Sequence, residues 1–169
     1  MSTKLMPGSA LPSIELPLLT GGTYRVGQKK GAWELFLIYR GKHCPRCKTY
    51  LNKLQGLLAA FSEVNVSVIV ASADPLDKAQ ADLEEYQWDF PLAYQLTEAN
   101  IKSLGLWASS HSDGSVYAEP GLFVINPERK IQIIGLGNTA SCRPDLEVLL
   151  DGIKGIQTRG LPIMGNITL

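Results

Sequence analysis

The chain has 169 residues, 45% of them apolar and 19% charged, with 16 Gly and 10 Pro. That composition excludes disordered, collagen-like and low-complexity chains, and the length fits one domain with a core of its own. Sixteen basic residues balance sixteen acidic ones, and no Lys/Arg-rich run stands out, so nothing points to nucleic acid. The longest apolar runs fall far short of the roughly 20 residues that span a bilayer. Residues 1–20 hold one base and four chain-breaking residues (Pro7, Gly8, Pro12, Pro17), which is not the pattern of a secretory signal. The expectation is a single domain over 1–169, cytoplasmic and without a membrane segment.

In chain order, Ile14–Leu19 and Thr23–Val26 read as two short strands around Gly21-Gly22. Trp33–Tyr39 is nearly all apolar, the pattern of a strand buried on both faces. Pro45 to about Phe61 carries Leu51, Leu54, Leu58 and Phe61 at helical spacing. Val66–Ala73 is a second buried strand. Asp74-Pro75 reads as N-cap and first residue of a helix running to about Gln87. A short strand over Leu92–Gln95 follows. Thr97 caps a brief helix over Glu98–Leu104, stopped by Gly105. Trp107–Glu119 reads as a polar loop. Leu122–Asn126 and Ile131–Leu136 are strands joined by Pro127-Glu128-Arg129-Lys130. Pro144 opens a final helix with Asp145 and Glu147 in its first turn. Strands alternating with helices define a layered α/β domain with a largely parallel core and an antiparallel closing hairpin.

Three cysteines are present: Cys44, Cys47 and Cys142. Two form Cys44-Pro45-Arg46-Cys47, where a buried strand turns into a helix. With Pro45 as first helical residue, Cys44 falls at the N-cap. Its sulfur then faces the free N–H groups of the first turn, which stabilise a thiolate and lower its pKa below the free value of about 8.5. Lys42, His43 and Arg46 add positive potential. Cys47 follows one turn later, within reach of Cys44, which is what thiol–disulfide exchange requires. The competing readings are two structural cysteines, or a metal site recruiting His43, His111 or Cys142. A structural zinc site needs four ligands, and no second close pair exists.

The stretch Leu35–Cys47, containing Tyr39-Arg40-Gly41-Lys42-His43-Cys44-Pro45-Arg46-Cys47, resembles the peroxiredoxin-like branch of the alkyl hydroperoxide reductase/thiol-specific antioxidant family. Similarity extends to Val66–Asp74, Phe90-Pro91-Leu92, Pro120–Pro127 and Arg143-Pro144-Asp145, about residues 7–162 in all. The resemblance implies a thioredoxin-like fold, with a central mixed β-sheet flanked by helices on both faces. It implies an oxidoreductase that reduces peroxides or disulfides through Cys44 as attacking thiol and Cys47 as its partner. The resemblance also implies a cis-Pro at Pro120 facing the pair. Tyr39, Arg40, His43 and Pro45 are expected to surround the site. Cys142 stands in the position of an alternative resolving thiol. No cofactor and no metal is expected. The expected partners are a peroxide or disulfide substrate, a thioredoxin- or glutathione-type reductant and, for the fold, a second copy in a homodimer. The alternatives are a thioredoxin-like disulfide reductase without peroxidase activity, and a non-catalytic metal-binding or adaptor module.

The chain departs from the family's Pro-x-x-x-Thr/Ser-x-x-Cys pattern. The hydroxyl position falls on Gly41 if Cys44 attacks, and on Cys44 itself if Cys47 attacks. The family's fourth-strand Arg falls on Pro120, leaving Arg40 or Arg143 to substitute. The expectation is modest peroxide turnover with comparable or better disulfide exchange.

Overall fold

A computed structural model of the chain describes residues 4–169. Its elements are β1 (Glu15–Pro17), β2 (Thr23–Arg25), β3 (Trp33–Ile38), α1 (Pro45–Glu63), β4 (Val66–Ala71), α2 (Leu76–Tyr86), β5 (Leu92–Ala93), α3 (Glu98–Ser103), β6 (Ala108–Ser110), β7 (Val116–Ala118), β8 (Gly121–Ile125), β9 (Ile131–Leu136) and α4 (Leu146–Arg159). The main sheet runs β5-β4-β3-β8-β9. β3, β4 and β5 are parallel, while β8 and β9 join antiparallel. The sheet is therefore mixed.

All six residues of β3 are buried, because the strand lies mid-sheet between two apolar layers. Successive side chains point to opposite faces. Leu35 and Leu37 enter a core with Leu51, Leu54 and Phe61 of α1 and Leu149, Leu150 and Ile153 of α4. Phe36 and Ile38 enter a second core with Leu16 of β1 and Ile101 of α3. This is the thioredoxin-like arrangement, with helices on both faces, and it sets the N-terminus of α1 at the end of the central strand.

Local signals held where the chain's own chemistry decides the structure. Thr97 caps α3 in a full capping box with Asn100. Asn126 N–H donates to the Lys130 carbonyl, closing the β8–β9 turn.

Three expectations need correction. The stretch 107–119 is not a polar loop: β6 and β7 pair as a hairpin, Ser109 opposite Tyr117. Its turn is held by the Asp113 carboxylate, which accepts from the Ser115 N–H and hydroxyl, and by Gly114 at φ +86°. Asp74 does not cap α2; Pro75 stands at the N-cap with no side-chain cap bond. The Asp74 carboxylate turns instead to the Lys42 N–H at 2.7 Å. α4 starts at Leu146, because Asp145 itself caps it by accepting from the N–H groups of Glu147 and Val148.

Candidate active site

β3 ends at Ile38, and residues 39–44 turn the chain into α1. Gly41 makes the turn at φ +126°, and its carbonyl accepts from the Cys44 N–H at 3.1 Å. Cys44 is the N-cap of α1 and Pro45 its first residue, as the sequence requires. The Cys44 Sγ accepts from the Cys47 N–H at 3.3 Å. The two sulfurs lie at disulfide distance, with Cα atoms 5.3 Å apart. Both cysteines are buried, 1% and 0% exposed. An N-cap position alone would suggest a more exposed Cys44, but the fold buries it as deeply as Cys47.

Each sulfur has its own guanidinium. Arg40 Nη1 approaches the Cys44 Sγ at 3.8 Å. Its Nη2 donates to the Tyr117 hydroxyl at 2.9 Å, and its Nε pairs with the Glu119 carboxylate at 3.0 Å. Glu119 also accepts from the Ser109 hydroxyl at 2.7 Å. With two nitrogens held by the hairpin, the planar guanidinium cannot swing away and its third nitrogen is aimed at sulfur. Arg143 Nη2 donates to the Cys47 Sγ at 2.6 Å, and Nη1 donates to the Ala140 carbonyl. Burial pulls Arg143 below its ordinary pKa; a thiolate beside it offsets that cost.

His43 packs its ring against His111 and Tyr117, with centroids 4.5 and 4.6 Å away. Ring burial, then the nearby His111 and the cations Arg40, Lys78 and Lys48, push its pKa down to about 4. His43 is therefore neutral near pH 7 and adds no charge beside Cys44.

Below the pair, Tyr39 is fully buried and donates to Asp82 at 3.1 Å. Asp82 is 0% exposed and pairs with Lys48 at 2.8 Å. Burial, then the Asp82 charge, raises the Tyr39 pKa far above its ordinary value. Tyr39 is thus a core residue bound to a buried ion pair, in the same packed cluster as Cys44 and Cys47. Trp107, at the start of the hairpin, is 60% exposed.

Pro120 is corrected too. No peptide bond among the described residues is cis, so Glu119–Pro120 is trans. The chain runs extended from β7 into β8, the Glu119 N–H donates to the Trp107 carbonyl, and the Pro120 carbonyl accepts from the Gly137 N–H. That carbonyl is engaged within the sheet and is not free to dock a substrate chain. Pro120 instead lines a narrow crevice with Tyr50, Cys142 and Arg143. Cys142 is exposed and unbonded. Among the described residues no cluster of three or more His, Cys, Asp or Glu is placed to hold a metal ion.

The sequence reading missed Glu119, Tyr117, Ser109, Lys48 and Asp82. Lys48 had a visible signal: a charge beside Cys47 on the face that carries Leu51 and Leu54 implies a buried partner. Glu119, Tyr117 and Ser109 had none once their hairpin was read as a loop.

A dithiol–disulfide pair at the N-terminus of the helix after the central strand defines a thioredoxin-fold redox protein. The family model for the AhpC/TSA family matches residues 7–134, and the chain belongs to that family. It is a thiol-dependent oxidoreductase of peroxiredoxin-like type. Solved structures agree on the fold. A cysteine-to-serine mutant of peroxiredoxin 6 from Arenicola marina superposes with TM-score 0.83 at 18% identity, over 93% of this chain and 76% of its own. PrxQ from Xylella fastidiosa gives 0.77 at 17% identity, over 92% and 99%. The peroxidoxin BcpB from Mycobacterium tuberculosis gives 0.67 at 22% identity, over 78% and 85%. No curated protein matches the chain significantly. Among the described residues no helix is long and apolar enough to cross a membrane.

Proposed function

We propose that the protein reduces peroxides, and disulfides by the same thiols, by cycling Cys44 and Cys47 between dithiol and disulfide. The observation that carries this reading is the pair itself: two sulfurs at disulfide distance across the first turn of α1, each beside a guanidinium. The Cys44 thiolate, stabilised at the N-cap, attacks the distal oxygen of a peroxide. The O–O bond breaks and the alcohol or water leaves with a proton, giving Cys44 sulfenic acid. The Cys47 thiol then attacks the Cys44 sulfur, water leaves, and the disulfide forms. A disulfide substrate passes through a mixed disulfide in place of the sulfenic acid. A thioredoxin- or glutathione-type thiol returns the pair to the dithiol, in the cytoplasm.

One observation favours the reverse roles. Arg143 lies 2.6 Å from the Cys47 sulfur, against 3.8 Å from Arg40 to Cys44. A closer cation stabilises a thiolate more. In that reading Cys47 attacks and Cys44 resolves.

Single variants treated with one equivalent of peroxide and read by mass spectrometry decide the matter. Cys47→Ser should gain one oxygen on Cys44, while the wild type loses two hydrogens. Oxygen gained on Cys47 in Cys44→Ser, with Cys47→Ser left reduced, reverses the roles. If both variants stay reduced at millimolar peroxide yet exchange with a model disulfide, the protein is a disulfide reductase and the peroxidase reading fails.

A further inference from the structure

One face of α1 meets the loop ahead of α4 in register. Cys47, Tyr50 and Lys53 lie three residues apart on α1, so they stack on one side of the helix. Three consecutive loop residues each take one of them. Arg143 Nη2 donates to the Cys47 Sγ at 2.6 Å, the Tyr50 hydroxyl donates to the Pro144 carbonyl at 2.6 Å, and Lys53 pairs with Asp145 at 3.2 Å. The outermost contact is between exposed side chains and contributes little. The middle one is half-buried. Burial, against the opposing pull of the Arg143 charge, pushes the Tyr50 pKa up to about 12, so its hydroxyl keeps its proton and continues to donate. The same ring lies under the Arg143 guanidinium, whose Cζ is 5.2 Å from the ring centroid. On the other side of the loop the sheet blocks retreat. A Cβ on Gly135 would stand 2.9 Å from the Pro144 Cγ, and one on Gly137 would collide with the Cys142 carbonyl. Arg143 is thus held through its backbone from two sides, at Nη1 by the Ala140 carbonyl, and across its planar face by Tyr50.

We propose that Tyr50 is a positioning residue: it holds the Arg143 guanidinium against Cys47 and so favours the thiolate of that cysteine. A long arginine side chain loses rotamer freedom when it is kept on one sulfur. The attraction of the ring face for a cation offsets that loss. Because the hydroxyl ties the ring to residue 144, the next in the chain, ring and guanidinium keep one relative geometry. A disulfide sulfur carries no charge, so the cation is in place before the thiolate forms. The inference rests on the thiol chemistry proposed for the pair, and it holds for either assignment of roles. If Cys47 attacks, Arg143 stabilises the nucleophile. If Cys44 attacks, the contact acts in the reductive half of the cycle: the thiolate of an incoming thiol donor bonds the Cys44 sulfur, the Cys44–Cys47 bond breaks, and its electron pair leaves on Cys47 beside Arg143.

The test titrates Cys47 by NMR in the reduced full chain carrying Cys44→Ser, with carbon-13 at the cysteine Cβ atoms. The Cys142 signal is identified by its loss in Cys142→Ser. Tyr50→Leu should move the Cys47 titration midpoint up by about half a pH unit, the order of one cation–π contact. Tyr50→Phe keeps the ring and loses the tie, and should move it up by about half as much. Both rises should vanish in an Arg143→Ala background, because Tyr50 acts through that guanidinium. A merely structural role would move the midpoint equally with or without Arg143. No rise in Tyr50→Leu, or a rise undiminished in the Arg143→Ala background, overturns the inference. Should Tyr50→Leu fail to fold, Tyr50→Phe decides by the same criteria. Arg143→Ala alone is the separate arm. If it raises the midpoint while Tyr50→Leu does not, only the role of Tyr50 fails. If it leaves the midpoint unchanged, the action of Arg143 on Cys47 fails and the role of Tyr50 falls with it. Oxidation of the wild-type pair by peroxide or a model disulfide tests the redox reading independently of both.

Discussion

Gly41→Ala should be among the most costly single substitutions outside the hydrophobic cores. At Gly41, φ is +126°, a backbone conformation that side-chain-bearing residues rarely adopt. A Cβ placed there would meet the Asp74 carboxylate, with Oδ1 at 2.6 Å, Oδ2 at 2.8 Å and Cγ at 2.9 Å. Asp74 cannot retreat without cost: it is 4% exposed and accepts from the Lys42 N–H. Forcing the backbone costs about 1–3 kcal/mol, and breaking a hydrogen bond to a charged group costs about 1.5–3 kcal/mol. Together they predict a loss of about 3–5 kcal/mol, a large fraction of the 5–15 kcal/mol that holds a typical domain folded. Urea unfolding followed by circular dichroism reads this directly. With a slope of about 2 kcal/mol/M, the midpoint should fall by roughly 1.5–2.5 M. Adding Asp74→Ala opens the space, so Gly41→Ala should cost at least ~1 kcal/mol less in that background. A Gly41→Ala loss below ~1 kcal/mol, or strict additivity of the two substitutions, would refute the argument.

Lys48→Met leaves the fully buried Asp82 without its cation and should destabilise by about 3–5 kcal/mol, while Lys48→Met/Asp82→Leu should recover most of that loss in the same urea assay. Arg143→Ala, in a Cys44→Ser background, should slow iodoacetamide alkylation of Cys47 about tenfold at pH 7; an unchanged rate would remove Arg143 from the thiol chemistry. His43 supplies a pH signature. Its folded pKa of about 4 lies below the ordinary 6.5, so between those values the unfolded chain holds the extra proton. Stability should therefore fall as pH drops from about 6.5 to 4, and His43→Asn should flatten that part of the profile. A steeper profile in the variant would mean the sign is wrong.

What could be read from sequence follows from how far apart the interacting residues lie. The buried run of β3, the Cys44 N-cap and the Thr97 cap depend on residues within a turn of one another, and all three are present in the fold. The contacts that complete the site are distant. Lys42 and Asp74 are 32 residues apart, Tyr39 and Asp82 are 43, Arg40 and Tyr117 are 77, and Cys47 and Arg143 are 96. No periodicity registers such pairs. Asp74 shows the failure mode. Its local pattern is that of an N-cap, and a cap is worth about 1 kcal/mol. The buried bond to Lys42 competes for the same carboxylate and prevails. The hairpin at 108–118 was hidden for a related reason: its strands are three residues long, and two of the three residues of β6 are Ser, so alternation had too little length to show.

The same tertiary contacts explain the departure from the family's hydroxyl pattern. If Cys44 attacks, the hydroxyl position is Gly41, and the Asp74 carboxylate fills the volume a side chain would need there. A serine or threonine is excluded by space as well as by φ. If Cys47 attacks, the position is Cys44, whose sulfur becomes the resolving group. Either way a donor worth on the order of 10²–10³ in rate is missing, and the guanidiniums must supply what remains. They are not equivalent. Arg40 is neutralised by the 3% exposed Glu119, so it delivers hydrogen-bond geometry with little net field. Arg143 has no ion-pair partner among the described residues, and its guanidinium bonds the Cys47 sulfur directly. The hairpin thus fixes one arginine as an orienting group and leaves the other as the source of positive potential. That asymmetry favours peroxide entry on the Arg143 side of the pair.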